Sequence, residues 1–407
     1  SDLKRRKGCN HTMTEKLFYQ DSHLAEFEAE VLSCEPMTPD ILPGCSGGFA
    51  AELDRTAFFP EGGGQYADTG VLGGIRVMDV QEKDGRILHL LESPLEPGTC
   101  VKGCIDWEER FMKMQQHSGE HIVSGLVHST FGYDNVGFHL GSEDCTMDFN
   151  GELTKEQLVQ IEQEANRAVW KNLEIQTLYP SEEELAGMEY RSKIEIEGQV
   201  RIVVVPGYDV CACCAPHVSR TGEIGLIKLT HVQRYKGGAR VTMLCGGRAL
   251  QDYETKQEQA GEISALLCAK ENEIAEAVHH LRNEADNLKY ELGEKEKKLI
   301  ALKAEMIPKD GGPVCVFTED IAGDSMRLLM NLVLEAGHSV CAVFHGNDSE
   351  GYRYVIGSRT QNMRELVKEF NAAFNGRGGG KPEMVQGTAR GCESEMRMWI
   401  LEKAGEV

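Results

Sequence analysis

No run of about 18 apolar residues occurs in this 407-residue chain, so no membrane-spanning helix is expected. A signal-peptide core is missing too, because Lys4-Arg5-Arg6-Lys7 is not followed by an apolar stretch. Met13 reads as the natural start, with residues 1–12 an upstream extension. Excess positive charge is lacking: 65 Asp and Glu against 43 Lys and Arg give −22. That argues against non-specific nucleic-acid binding over the whole surface, but leaves room for a local basic groove. The acidity is uneven, since residues 309–407 hold four Lys and seven Arg against four Asp and ten Glu, a balance of −3. Fourteen cysteines are present, without the compact spacing of a small disulfide scaffold. With no secretion signal they read as reduced thiols of a cytoplasmic protein. No Ser-His-Asp order is visible. Nor is there a Walker A motif, because Lys381 is followed by Pro382 rather than Ser or Thr.

What is present is a pair of donor motifs far apart in the chain. His117-Ser118-Gly119-Glu120-His121 is H-x-x-x-H, and Cys213-Cys214-Ala215-Pro216-His217 contains C-x-x-x-H. On a helix, the first places two imidazoles one turn apart on one face. Either half alone is weak, because a lone H-x-x-x-H is more often a pair of surface or satisfied histidines. Together, three imidazoles and one thiol make the tetrahedral nitrogen and sulfur set that Zn²⁺ takes. The expected metal ligands are His117, His121, Cys213 and His217. Cys211 is out of register for this set, and Cys214 does not fit C-x-x-x-H.

The rest of the chain falls into four stretches, and the predicted fold class is α+β. Residues 13–105 read as a small β-rich, barrel-like domain. Short strand-like runs at 29–34, 48–53 and 74–80 are separated by Pro and Gly turns. Residues 106–249 read as an α+β domain. Its first helix runs from Trp107 to about Gly132, and a second begins at Thr154, whose capping box is completed by Gln157. The strand 201–205 delivers the Cys/His segment. His139 reads as a strand histidine satisfied in the core. Residues 250–308 carry apolar residues at three- and four-residue steps, from Ile274 through Leu281, Leu288, Leu292 and Leu299 to Met306. This is a heptad-like helical spacer that serves either dimerisation or packing within the chain. Residues 309–407 alternate strand and helix as an α/β domain. There Arg377, Gly378, Gly379, Gly380 and Lys381 read as an amide-rich loop with two cations, suited to phosphate or RNA-backbone contact.

Four motifs also carry a family resemblance. Gln115-Gln116-His117-Ser118-Gly119-Glu120-His121 resembles the first metal motif of the alanyl-tRNA synthetase editing domain and of the free-standing AlaX proteins. Cys213-Cys214-Ala215-Pro216-His217-Val218, followed by Thr221-Gly222-Glu223-Ile224-Gly225, is similar to the second. Phe58-Phe59-Pro60-Glu61-Gly62-Gly63-Gly64-Gln65 resembles the glycine-rich signature of the preceding small domain. Residues 375–382 are similar to the C-terminal DHHA1 domain. The order and span of these motifs match the long form of AlaX. The resemblance implies a zinc-dependent editing domain that hydrolyses the ester on mischarged tRNA(Ala), with serine as the expected amino acid and glycine second. It also implies that Thr56 and Gln65 lie near the aminoacyl end, with Thr56 contacting the serine hydroxyl. A homodimer through the helical or C-terminal region, and a tRNA-binding protein whose zinc is only structural, stay open beside it.

Overall fold

The computed structural model describes residues 13–38, 47–142, 144–192 and 199–405; the extension read at residues 1–12 lies outside them. Two compact units, Ser1–Ala260 and Gly261–Val407, divide the chain.

The first unit opens with a closed six-stranded barrel. Its strands are β1 (Glu26–Pro36), β2 (Phe49–Leu53), β3 (Gly70–Leu72), β4 (Ile75–Lys83), β5 (Arg86–Leu91) and β6 (Cys100–Ile105), joined in the order β1-β2-β5-β4-β3-β6. Strict alternation along β1 buries Phe27, Ala29 and Val31 and exposes Glu26, Glu28 and Glu30, which is the signature of a strand with one wet face. Leu53, Leu72, Val77, Ile87 and Leu91 fill the interior. Closure leaves these six strands no open edge.

Beyond the barrel, α1 (Trp107–Phe131) ends at Gly132, whose φ of 72° allows a left-handed cap bonded to the His128 carbonyl. Every residue from Lys113 to Val127 is buried, although half of them are polar. One side packs on a four-stranded sheet of β7 (Asn135–Leu140), β8 (Cys145–Phe149), β12 (Ile227–Tyr235) and β13 (Gly238–Cys245), in the order β12-β13-β8-β7. The expected capping box appears at the start of α2 (Lys155–Lys171), with Thr154 and Gln157 bonded reciprocally. A three-stranded sheet of β9 (Gln176–Leu178), β10 (Ile202–Val205) and β11 (Asp209–Ala212) meets α1 from another side. Contact there is close: a Cβ on Gly125 would stand 2.1 Å from the Tyr208 carbonyl oxygen.

The heptad-like stretch is not one helix. Helix α3 (Gly246–Leu267) stops before α4 (Ile274–Glu305) begins. Cys268, at φ 50°, takes the left-handed position of a Schellman ending, with Ala269 N–H on the Ser264 carbonyl and Cys268 N–H on the Ala265 carbonyl. Gly293 interrupts nothing, since α4 runs through it.

The rest of the second unit is a five-stranded sheet of β14 (Val314–Thr318), β15 (Val340–Asn347), β16 (Gly351–Ser358), β17 (Arg377–Lys381) and β18 (Met384–Ala389), ordered β14-β15-β16-β18-β17. Helices α4 and α5 (Asp324–Glu335) cover one face; α6 (Met363–Ala373) and α7 (Glu393–Gly405) cover the other. The α+β class read from the sequence holds. One reading is corrected here: residues 377–381 form the edge strand β17, paired antiparallel with β18, not a loop. Glycines carry little strand preference of their own, so the pairing is set by the partner strand.

Candidate metal centre

Helix α1 supplies His117 and His121, and the segment following β11 supplies Cys213 and His217. One donor atom from each of the four lies within 4.8 Å of every other. Cys213 Sγ is 3.5 Å from His117 Nε2 and 3.4 Å from His217 Nε2.

Each imidazole is oriented through its other nitrogen. His117 Nδ1 lies 3.0 Å from Gln65 Oε1, His121 Nδ1 lies 2.8 Å from Asp209 Oδ2, and His217 Nδ1 lies 3.2 Å from Ser118 Oγ. Carboxylate and amide oxygens only accept, so they hold the proton on Nδ1 and free Nε2 as a donor atom. His121 Nε2 is buried with no hydrogen-bond partner. Asp209 is itself fixed by Arg191, through two bonds of 2.7 and 2.8 Å. Such outer partners set ring orientation and ligand basicity at metal sites. Arg201 secures the Cys/His segment, donating from one nitrogen to the Cys213 carbonyl at 2.8 Å and the Ala215 carbonyl at 2.9 Å.

The protonation states of Cys213 and His217 fit a metal. Burial lowers His121, but Asp209 and the neighbouring thiols hold it well above its ordinary value, so its Nε2 must give up a proton to ligate. Burial pushes the Cys213 thiol up, but the His117 and His217 imidazoles beside it pull it well below the ordinary thiol range. Burial pushes His217 down to about 3. Thiolate and neutral imidazole are the forms that ligate.

Gln65 reaches His117 from the barrel side because the glycine-rich loop is pressed against β7. Leu140 N–H donates to the Gly64 carbonyl. A Cβ on Gly64, whose φ is +81°, would lie 2.3 Å from the Phe138 carbonyl oxygen. The Gln65 amide nitrogen is buried and has no partner, so a donor is free beside the cluster. Thr56 has a different setting. It is fully buried, its hydroxyl 2.8 Å from His89 Nε2 and accepting from Phe58 N–H at 3.1 Å.

Barrel and helix are also stitched by buried charge. Arg110 and Asp68 pair at 0% and 1% side-chain exposure. Arg110 also donates to the Ser22 and Ala57 carbonyls, and Asp68 accepts from Phe59 N–H. Lys113, equally buried, donates to the Ala67 carbonyl at 2.6 Å and lies over the Tyr66 ring.

Comparison with known proteins follows this geometry. Residues 200–247 match the threonyl and alanyl tRNA synthetase second additional domain, and residues 311–405 match the DHHA1 domain. The alanyl-tRNA editing protein AlaX-L of Pyrococcus horikoshii is 29% identical over 414 residues, covering 96% of this chain and 98% of that protein. Over nearly its whole length the chain is thus similar to a long-form AlaX protein. The mouse alanyl-tRNA editing protein Aarsd1 is 28% identical over 393 residues, covering 92% and 93%. The alanine–tRNA ligase of Ignicoccus hospitalis is 32% identical over 302 residues; 71% of this chain aligns with 32% of that enzyme.

Several residues of the centre carry no signal in the sequence. Asp209, Arg191 and Arg201 have no motif, because their partners lie 12 to 88 positions away and only folding brings them together. Glu120, between the two helix histidines, is 1% exposed; its carboxylate accepts from Ser124 and Asn135 and stands 3.9 Å from His121 Nε2. Cys211, set aside on register, shares a second close group with His121 and Asp209. His139 is corrected: β7 alternation buries Phe138 and Leu140 and turns His139 to solvent. Arg377 and Lys381 belong to the second unit. Arg377 lines one cavity there, while Gly379, Gly380 and Lys381 line another.

Proposed function

We propose that this chain is a free-standing deacylase that hydrolyses the ester joining a wrong amino acid to tRNA(Ala) in the cytoplasm, serine first and glycine second. The observation that carries the reading is the cluster of His117, His121, Cys213 and His217. Three Nε2 atoms and one thiolate are held by outer partners and left without other work. Zinc is the metal that this donor set suits. When bound there, it would polarise an ester carbonyl, activate a water or orient the substrate. An aminoacyl ester is already activated, so no covalent nucleophile is required. Around the metal, the protein's own part is positional. Gln65 offers its unpartnered amide N–H to a substrate oxygen. Asp209, Ser118 and Gln65 keep the three rings in place. A cavity of about 590 Å³ lined by His217, Arg201 and Tyr19 gives room for the aminoacyl end. Thr56 would recognise the serine hydroxyl only by exchanging its His89 bond for the substrate.

Four protein donors are also the shell of a closed, structural metal site, which favours as second reading a tRNA-binding protein without hydrolysis. One assay separates the two. Zinc-loaded protein is given seryl- and alanyl-tRNA(Ala), and release of each amino acid is followed. Hydrolysis of the seryl ester in preference to the alanyl ester supports the deacylase. Tight tRNA binding by folded, zinc-loaded protein without hydrolysis of either rules it out.

A further inference from the structure

Seven arginines lie within residues 309–407. Four have partners in the fold. Arg327 bonds to Gln386, Arg359 to Glu335, Arg364 to the Gly380 carbonyl, and Arg397 to Glu393 and the Cys315 carbonyl. The other three, Arg353, Arg377 and Arg390, make no side-chain hydrogen bond or ion pair among the described residues. All three line a single cavity of about 780 Å³, together with His345, Thr388 and the acidic Glu350.

Strand register explains the convergence. His345 on β15 lies opposite Arg353 on β16, Arg353 opposite Thr388 on β18, and Thr388 opposite Arg377 on β17. Directly opposed residues share a face of the sheet. The four side chains therefore form one row, roughly 14 Å long at about 4.8 Å per strand step. Two residues further along the strands, Val343 and Val355 of the same face are buried with α5. The row begins where that cover ends, and Arg353, Thr388 and Arg377 are exposed. His345 Nδ1 likewise has no partner.

Three unpaired guanidinium groups around one cavity repel each other unless an anion offsets them. Guanidinium forks match phosphate oxygens in geometry as well as charge. We infer that this row binds phosphates of the tRNA backbone, with Arg353, Arg377 and Arg390 as the contacts and Thr388 as a hydroxyl donor. This is the local basic groove that a net charge of −22 leaves open, and it is built on the sheet face rather than on the glycine amides. It rests on the reading of tRNA as substrate.

The test uses the full chain and deacylated tRNA(Ala), with binding followed by fluorescence anisotropy from low to high salt. The triple variant Arg353→Gln, Arg377→Gln, Arg390→Gln is compared with a charge-matched control, Lys309→Gln, Arg359→Gln, Lys368→Gln. The row variant is expected to bind more weakly at low salt and to lower the slope of log K against log salt by about two to three. The control should retain wild-type affinity and slope. Thermal melting checks that each variant is folded, and the three single variants, each expected to lower the slope by about one, keep the test open if the triple is not. Unchanged binding by the row variant overturns the inference, and so does an equal loss in the control. Seryl-tRNA hydrolysis is assayed separately. A wild-type protein that binds tRNA through this row but hydrolyses nothing would overturn the deacylase reading and leave the row standing.

Discussion

Asp209 Oδ2 lies 2.8 Å from His121 Nδ1, while the other nitrogen of that ring is buried without a partner. The carboxylate therefore fixes both the tautomer and the direction of the free lone pair. Asp209→Asn keeps the shape but loses the charge that favours an N–H at Nδ1. Zinc affinity, measured by competition with a chelator, should fall about 10- to 100-fold. An unchanged affinity would mean that His121 does not ligate.

Arg201 tests the other half of the cluster. Arg201→Met removes the donor shared by the Cys213 and Ala215 carbonyls. Leaving buried acceptors unpaired costs about 1–3 kcal/mol, so the urea midpoint should drop. Zinc affinity should drop with it, because the same segment carries Cys213 and His217. Lower stability with full zinc affinity would show that the segment is held by other means.

The Arg110–Asp68 pair makes a prediction about order of loss. Arg110→Met removes the closest partner of buried Asp68 and leaves it with Lys113 at 3.8 Å and the Phe59 N–H, at a cost of up to about 3–5 kcal/mol. Adding Asp68→Leu should recover part of that loss, since the apolar pair leaves no carboxylate stranded and Lys113 keeps Glu109 at 3.3 Å and the Ala67 carbonyl. Urea titration of the single and double variants decides it; a double variant weaker than the single would contradict the account.

His89 gives a pH dependence. Burial pushes its pKa down to about 4 from the ordinary 6.5. The folded state therefore binds fewer protons than the unfolded one, and stability is lost as pH falls from about 6.5 towards 4. The full loss is roughly 3 kcal/mol. His89→Gln should flatten this limb of the stability curve. An unaltered limb would trace the acid sensitivity to other groups.

Thr56→Val has two expected effects. It leaves His89 Nε2 and Phe58 N–H without their partner, for about 1–3 kcal/mol of stability. If Thr56 also reads the substrate hydroxyl, the ratio of seryl to alanyl hydrolysis narrows. Reduced stability with an unchanged ratio would restrict Thr56 to a structural role.

How much of this was legible depends on where each signal lies along the chain. The spacing of His117 and His121, the capping box at Thr154 and the strand at 202–205 are local, and local patterns survive folding. The barrel strands β3, β5 and β6 were not read. Gly70–Leu72 is only three residues long, too short for its alternation to stand out, and Leu88–Leu91 is buried throughout and does not alternate. Three glycines give strand β17 no strand signal, and its place comes from pairing with β18. The break at Cys268 was hidden because the left-handed cap position usually filled by Gly holds a cysteine. Arg110 and Lys113 were missed for a different reason: charged residues in the first turns of a helix normally face water.

That last feature bears on transplantation. A helix carrying H-x-x-x-H looks like a portable cassette. Here the same helix brings Arg110, Lys113 and Gln116, whose needs are met by Asp68, the Ala67 carbonyl and Cys245. Grafted onto another scaffold, it would arrive with two stranded cations and an unsatisfied amide. The motif is short to write, but its host is the whole first unit.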